Sequence, residues 1–259
     1  MVYQEFAYTL IAGIIQGITE VLPVSSSGHL IIVSEIFDHS LTLSEIAVLH
    51  LGTLVAIIIV TKDKFKHLKN PKVLFNILLS IIPAGVIGFF FDDLIEETLH
   101  GILVITLSLI FWGIVMILTD QRTKKSKFKI NEINEITPKE SIIVGLGQCL
   151  AFIPGTSRSG ITTLFGIFSG ISPDTALSFS FLSGIPLIAA SGFFSVIDMI
   201  SEKENTMNLP SILIALITSL VTGIIAGILL KKFIKKGILT VCGVYRIILA
   251  IVLFSVFLL

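Results

Sequence analysis

Long apolar runs separated by short charged ones set the pattern of this chain. Six uninterrupted apolar segments lie at roughly 45–61, 73–91, 101–119, 174–197, 211–230 and 241–258, each near the ~17–25 residues that an α-helix needs to cross a bilayer. Two further apolar regions, about 6–33 and 140–171, are interrupted in the middle by Pro, Gly, Ser and charge. Backbone that leaves the helix at membrane depth has to be lined by protein or water. The two interrupted regions therefore predict re-entrant helix pairs. The expected fold is an all-α integral membrane protein with six transmembrane helices plus two re-entrant helix pairs.

The charges between these segments set the expected orientation. Most of the basic residues fall in three connections, Lys62 to Lys72, Arg122 to Lys139 and Lys231 to Lys236, whereas the alternate connections carry Asp92, Asp93, Glu96 and Glu97, then Asp198, Glu202 and Glu204 with only Lys203. Lysine and arginine concentrate on the cytoplasmic side. Walking the segments with that constraint brings the first broken region in from the outer side and the second from the cytoplasmic side. Each half then reads as one re-entrant pair followed by three spans, and the halves are inverted. Residues 1–121 form the first repeat, 122–139 a basic cytoplasmic linker and 140–259 the second repeat, within one membrane domain overall. Short echoes agree: Gln16, Pro23 and Ser-Ser-Ser-Gly against Gln148, Pro154 and Gly-Thr-Ser-Arg-Ser-Gly, and SEIAVLHLGT (44–53) against PDTALSFSFLSG (173–184). Inverted repeats with broken helices place binding sites near the midplane at the repeat interface.

Composition narrows the class. The chain is 54% hydrophobic and 14% charged, with a mean hydropathy of +0.99, far from the ~25% charge of a soluble domain. A formal net charge of zero gives no bias toward nucleic acid. Cys149 and Cys242 sit in apolar surroundings without zinc or redox spacing and read as packing residues. The beginning, MVYQEFAYTLIAG, lacks a basic region and a small-residue cleavage site, so no removable signal peptide is expected.

Candidate chemistry is concentrated in the two breaks, QGITEVLPVSSSGHL (16–30) and QCLAFIPGTSRSG (148–160). An acid, hydroxyls, an imidazole and an arginine at membrane depth mark a site by default. Ser25, Ser27 and Gly28, and likewise Gly155, Thr156, Ser157, Ser159 and Gly160, precede apolar helical runs, where free N–H groups and the helix dipole attract anions. Arg158 adds a planar fork of donors suited to phosphate; a structural ion pair with Glu20 is the plainer alternative. Glu20 can hold a divalent metal or act as a general base, and His29 can move a proton. Ser26 and His29 are three apart, a spacing at which the imidazole can activate the hydroxyl. Gln16 and Gln148 either bond carbonyls freed at the breaks or orient the site. Asp174 reads as a helix N-terminal residue, and His39, His67 and His100 as solvated loop residues. For Tyr245 and Arg246 an interface anchor and a reach into the site both stay open.

These two motifs, with HLGTLVAIIIV (50–60) and YRIILAIVL (245–253), closely resemble the undecaprenyl-diphosphate phosphatase family, the membrane phosphatases associated with bacitracin resistance. The resemblance covers nearly the whole length. It implies hydrolysis of a C55 polyprenyl diphosphate to the monophosphate and inorganic phosphate, which recycles the lipid carrier of cell-wall synthesis at the outer face of the plasma membrane. It further implies a divalent cation, Mg2+ or Ca2+, two inverted repeats and a homodimer. Position by position it puts the family's acidic residue on Glu20, its serines on Ser25, Ser26 and Ser27, its histidine on His29, and its phosphate-binding arginine on Arg158 beside Ser157. Some members have a second glutamate where this chain has Gln16. In the expected mechanism Arg158 and the backbone N–H groups hold the diphosphate, Ser26 attacks with His29 as proton acceptor, or His29 itself attacks or activates water. The alternative function is a polyprenyl-phosphate transporter that uses the same site.

Overall fold

A computed structural model describes residues 2–39, 42–99, 101–124, 126–202, 208–234 and 237–257. His100, Lys125, Lys203, Glu204, Lys235 and Lys236 fall outside these, as do the side chains of Asp92, Asp93, Glu96, Glu97, Asp198 and Glu202. The described residues form ten α-helices: α1 Val2–Val21, α2 Ser26–Phe37, α3 Leu43–Thr61, α4 Pro71–Leu99, α5 Ile102–Thr123, α6 Pro138–Cys149, α7 Arg158–Phe168, α8 Pro173–Glu202, α9 Leu209–Phe233 and α10 Ile238–Phe257. Six of them, α3, α4, α5, α8, α9 and α10, are long and apolar enough to cross a membrane. The protein is a multi-pass membrane protein.

The breaks are narrower than the polar motifs that predicted them. Helix α1 carries Gln16 and Glu20 in its last turns and stops at Val21, because Pro23 disfavours helical backbone at Leu22 and cannot donate to the turn before it. Helix α6 ends at Cys149, tightens into a 3-10 turn over Leu150–Phe152, and is kept from continuing by Pro154 and by Gly155 at φ 80°. Helices α4 and α8 run past their predicted spans to Leu99 and Glu202, since nothing in either acidic stretch breaks a helix. Each contains an internal proline, Pro83 and Pro186.

Pairing between the halves follows one pattern. Helix α1 packs on α9 and α6 on α4, while α3 packs on α8 and α5 on α10. The last pair is nearly in backbone contact: a Cβ placed on Gly113 would lie 2.8 Å from the Gly243 carbonyl oxygen, and one on Gly243 would lie 2.5 Å from that of Gly113. Small residues at such crossings let dispersion and backbone contacts replace the hydrophobic drive that lipid cannot supply. Phe75, Leu78, Ile82, Val86 and Phe89 leave one stripe of α4 exposed, the face a spanning helix turns to lipid.

The three basic segments gather at one end of the molecule. Lys62–Lys69 forms a 3-10 helix; Lys231 reaches across from the end of α9 to the Val60 carbonyl oxygen and to Asp63 Oδ1 at 2.9 Å, and His67 meets Asn134 at 3.2 Å. The basic linker is tied down rather than loose. Ile130, Ile133 and Ile136 are buried, the N–H groups of Lys129 and Ile130 donate to the Gly170 carbonyl, and Ser172 N–H donates to that of Ile130.

Candidate active site between the two breaks

Each break ends on a serine in the left-handed region of backbone space. Ser25 (φ 76°) caps α2 and Ser157 (φ 74°) caps α7, a conformation that strains any residue other than glycine. What holds them there is the repeated Ser-x-Ser-Gly: Ser25 Oγ accepts from Gly28 N–H at 3.4 Å and Ser157 Oγ from Gly160 N–H at 3.3 Å. In both, the cap hydroxyl also lies 3.4 Å from the second serine, Ser27 or Ser159. The breaks are conformational twins. At the position after the cap, one twin has Ser26 and the other Arg158.

Glu20 joins the twins. Its Oε1 accepts from Arg158 Nη2 at 2.8 Å and its Oε2 from Ser26 Oγ at 2.7 Å, with the two side chains of the ion pair 8% and 15% exposed. Gln16 Nε2 donates to the same Oε2 at 3.4 Å, one turn earlier on α1. The ion pair that was the plainer reading of Arg158 is therefore present, and it lies inside the cluster of candidate residues. Arg158 is given room by Gly184 of α8, where a Cβ would stand 2.0 Å from Nη1; Nη1 also donates to the Ser180 carbonyl at 3.4 Å. The second break rests on α5, where Thr156 Oγ1 and Ser108 Oγ are 3.0 Å apart.

His29 differs from its expected pairing. Its Nδ1 lies 2.6 Å from the Ser25 carbonyl oxygen and its Nε2 2.7 Å from the Tyr245 hydroxyl, so neither nitrogen is on Ser26. With a carbonyl as partner, Nδ1 carries the proton, and Nε2 accepts from the Tyr245 hydroxyl. A spacing of three permits contact on a helix but does not compel it. Ser26 points back across the turn to Glu20, and the imidazole is drawn toward α10. His39 also departs from a solvated reading, with Nε2 3.0 Å from Glu45 Oε1.

The two glutamines resolve differently. Gln16 orients Glu20, whereas Gln148 Nε2 donates to the Ser80 carbonyl at 3.1 Å, in the turn of α4 that Pro83 disturbs, which is a structural role. Gln16 Oε1 is buried without a partner beside the Glu20 carboxylate. Carboxylate and amide oxygens suit a hard divalent cation, yet among the described residues no three or more His, Cys, Asp or Glu side chains gather as a metal site. The donor set fits a cation that completes its shell with substrate phosphate, and no protein-only cage.

Sequence reasoning passed over Gly184, Ser108 and Ser180, and left Tyr245 and Arg246 open. Gly184 and Ser180 lie in the 173–184 echo, the one signal that could have raised them. Arg246 is fully buried and donates to carbonyls of both breaks.

The family model for bacitracin resistance protein BacA matches residues 9–252. The chain belongs to this family. Proteins named undecaprenyl-diphosphatase are similar along most of it: one from Enterococcus faecalis is 36% identical, covering 98% of both chains, and one from Hahella chejuensis is 39% identical over 73% of this chain and 75% of its own. Undecaprenyl-diphosphatase 2 of Shewanella oneidensis is 32% identical, covering 97% of this chain and 98% of its own. The BacA match spans both breaks, five of the six long helices in full and α10 as far as residue 252.

Proposed function

We propose that this protein is an undecaprenyl-diphosphate phosphatase that converts the membrane-bound lipid diphosphate to the monophosphate and inorganic phosphate, and that it thereby confers bacitracin resistance, as its family name implies. The observation that carries the chemistry is Glu20, which holds the Ser26 hydroxyl and the Arg158 guanidinium of the two different breaks on its two oxygens.

The reaction follows from that geometry. The incoming diphosphate competes for Arg158, whose fork is better matched by phosphate oxygens than by one carboxylate oxygen, and the N–H groups that open α2 and α7 add donors aimed at the same anion. Glu20 Oε2, which already accepts the Ser26 hydroxyl, stands where it can take that proton. Ser26 Oγ attacks the terminal phosphorus, its proton passes to Glu20, and the bond to the bridging oxygen breaks, releasing the lipid monophosphate. Water then cleaves the phosphoserine to give inorganic phosphate and the free hydroxyl. Positioning and charge stabilisation dominate such transfers. A divalent cation, Mg2+ or Ca2+, would be held by Glu20 and Gln16 Oε1 with phosphate oxygens and would neutralise charge on the leaving group.

The remaining readings belong to the same proposal. The pairing of helices between halves and the twin breaks support two inverted repeats, 1–121 and 140–259, around the linker 122–139. The clustering of the basic segments at one end supports their cytoplasmic placement and a site open to the outer face of the plasma membrane. Assembly as a homodimer rests on the family resemblance.

The test is phosphate release from purified, detergent-solubilised protein supplied with undecaprenyl diphosphate and Mg2+. Ser26→Ala is expected to lower kcat by at least ~1000-fold, the scale seen when a covalent nucleophile is removed, with His29→Ala retaining far more. No release from folded wild type would reject the phosphatase and favour movement of a polyprenyl phosphate, which needs two compartments. Loss in His29→Ala with retention in Ser26→Ala would reject serine attack.

A further inference from the structure

Arg246 lies midway along α10 and is 0% exposed. Its Nη1 donates to the carbonyl oxygens of Pro23 at 3.2 Å and Thr156 at 3.0 Å, and its Nη2 to that of Gly155 at 2.5 Å. Every acceptor belongs to one of the two breaks. Pro23 stands two residues before the cap Ser25, and Thr156 one residue before the cap Ser157. One guanidinium thus sets the distance between two strained turns that lie 132 to 133 positions apart in sequence. No ion pair among the described residues involves Arg246, and its Nε is buried without a partner.

A buried guanidinium without a carboxylate is held at a penalty that carbonyl dipoles offset only in part. Its surroundings add to the imbalance. Glu20 is already shared with Arg158, and two helix N-termini contribute further positive potential. The region between the breaks carries a positive excess and no fixed anion to match it.

We propose that Arg246 is a positioning residue of this site: it ties the two breaks into one phosphate cradle, and the bound diphosphate is its counter-ion. The proposal rests on the phosphatase reading. Being fully buried, Arg246 acts through Pro23, Gly155 and Thr156 and makes no contact with substrate. Its charge and its hydrogen bonds are separable roles. Lysine keeps the charge and loses the fork; glutamine keeps an amide donor and loses the charge.

The experiment compares Arg246→Lys and Arg246→Gln with wild type for KM toward undecaprenyl diphosphate, for inhibition by inorganic pyrophosphate, and for Tm in detergent. Arg246→Gln is expected to raise both KM and the pyrophosphate inhibition constant by ~10-fold, the scale of a lost unit charge acting through several ångströms of protein, while Arg246→Lys recovers most of the binding. Equal binding in the two variants, or wild-type binding in folded Arg246→Gln, would overturn it. If Arg246→Gln does not fold, Arg246→Lys decides: inorganic pyrophosphate should raise its Tm about as much as that of wild type, because the charge persists, and loss of that rise in folded Arg246→Lys would overturn the proposal. Wild-type turnover with unaffected Arg246 variants defeats this inference alone, whereas absence of wild-type turnover defeats the phosphatase reading beneath it.

Discussion

At the residue scale, two of the site's side chains, His29 and Arg158, are set by partners far away in sequence. Tyr245 illustrates this. Its hydroxyl is the only described partner of His29 Nε2 and lies 2.7 Å from it, with the two rings parallel at an interplanar angle of 3°. Removing that hydroxyl leaves both rings and their packing in place, with His29 Nδ1 still on the Ser25 carbonyl, and takes away only the donor to Nε2. Tyr245→Phe leaves a buried ring nitrogen without its donor and is therefore expected to cost about 1–3 kcal/mol of stability, read as a fall in Tm, with kcat/KM changing little because Ser26 and Glu20 carry the reaction; a kinetic loss at unchanged Tm would give His29 a direct part in catalysis. Gly184 acts by absence. A methyl group there would occupy the space of the Arg158 guanidinium, 2.0 Å from Nη1, and misplacement of a phosphate-binding group by about 1 Å can cost ~100-fold. Gly184→Ala should thus depress kcat/KM toward that limit in a folded protein, which steady-state phosphate release and a thermal melt check together.

At the element scale, legibility followed the kind of signal. The two breaks are plain in the sequence, because Pro23, Pro154 and Gly155 interrupt an apolar helix and the serines after them suit the start of the next, and the residues they bring together, Glu20, Ser26 and Arg158, are all legible there. The ends of helices α4 and α8 were not, since hydrophobicity locates the apolar part of a helix and says nothing about how far the backbone continues in polar residues. The His29 partner was hidden for another reason. Tyr245 is 216 positions away, and only the α5–α10 crossing carries it to the imidazole. That crossing can be tested directly. A valine at Gly113 would press on the Gly243 carbonyl and on Ile247 Cγ1, 2.8 and 3.0 Å from its Cβ, and overpacking of this kind costs about 1–3 kcal/mol. Gly113→Val is expected to lower Tm and, because the displaced helix carries Tyr245 and Arg246, to reduce activity more than an equally destabilising change on the lipid face of α4 such as Phe89→Ala.

At the scale of the whole molecule, the contacts fix which segments lie together, and the membrane decides which side they face. Lys231 with Asp63 and His67 with Asn134 place the basic segments at one end, and positively charged connections stay with the cytoplasm. The proposed outward site follows only if that end is cytoplasmic, so the topology has a direct test. Cysteines introduced at Lys127, in the exposed basic linker, and at Leu209, 67% exposed at the start of α9, can be probed with a membrane-impermeant maleimide after Cys149 and Cys242 are replaced by alanine. In intact spheroplasts Leu209→Cys should label and Lys127→Cys should not, with Lys127→Cys becoming reactive once the membrane is opened. The reverse pattern would turn the molecule over and move the first break, with Glu20 and Ser26 beside it, to the cytoplasmic side. Labelling of both in intact cells would mean that the two positions share a face, and the three-span halves that separate them would have to be redrawn.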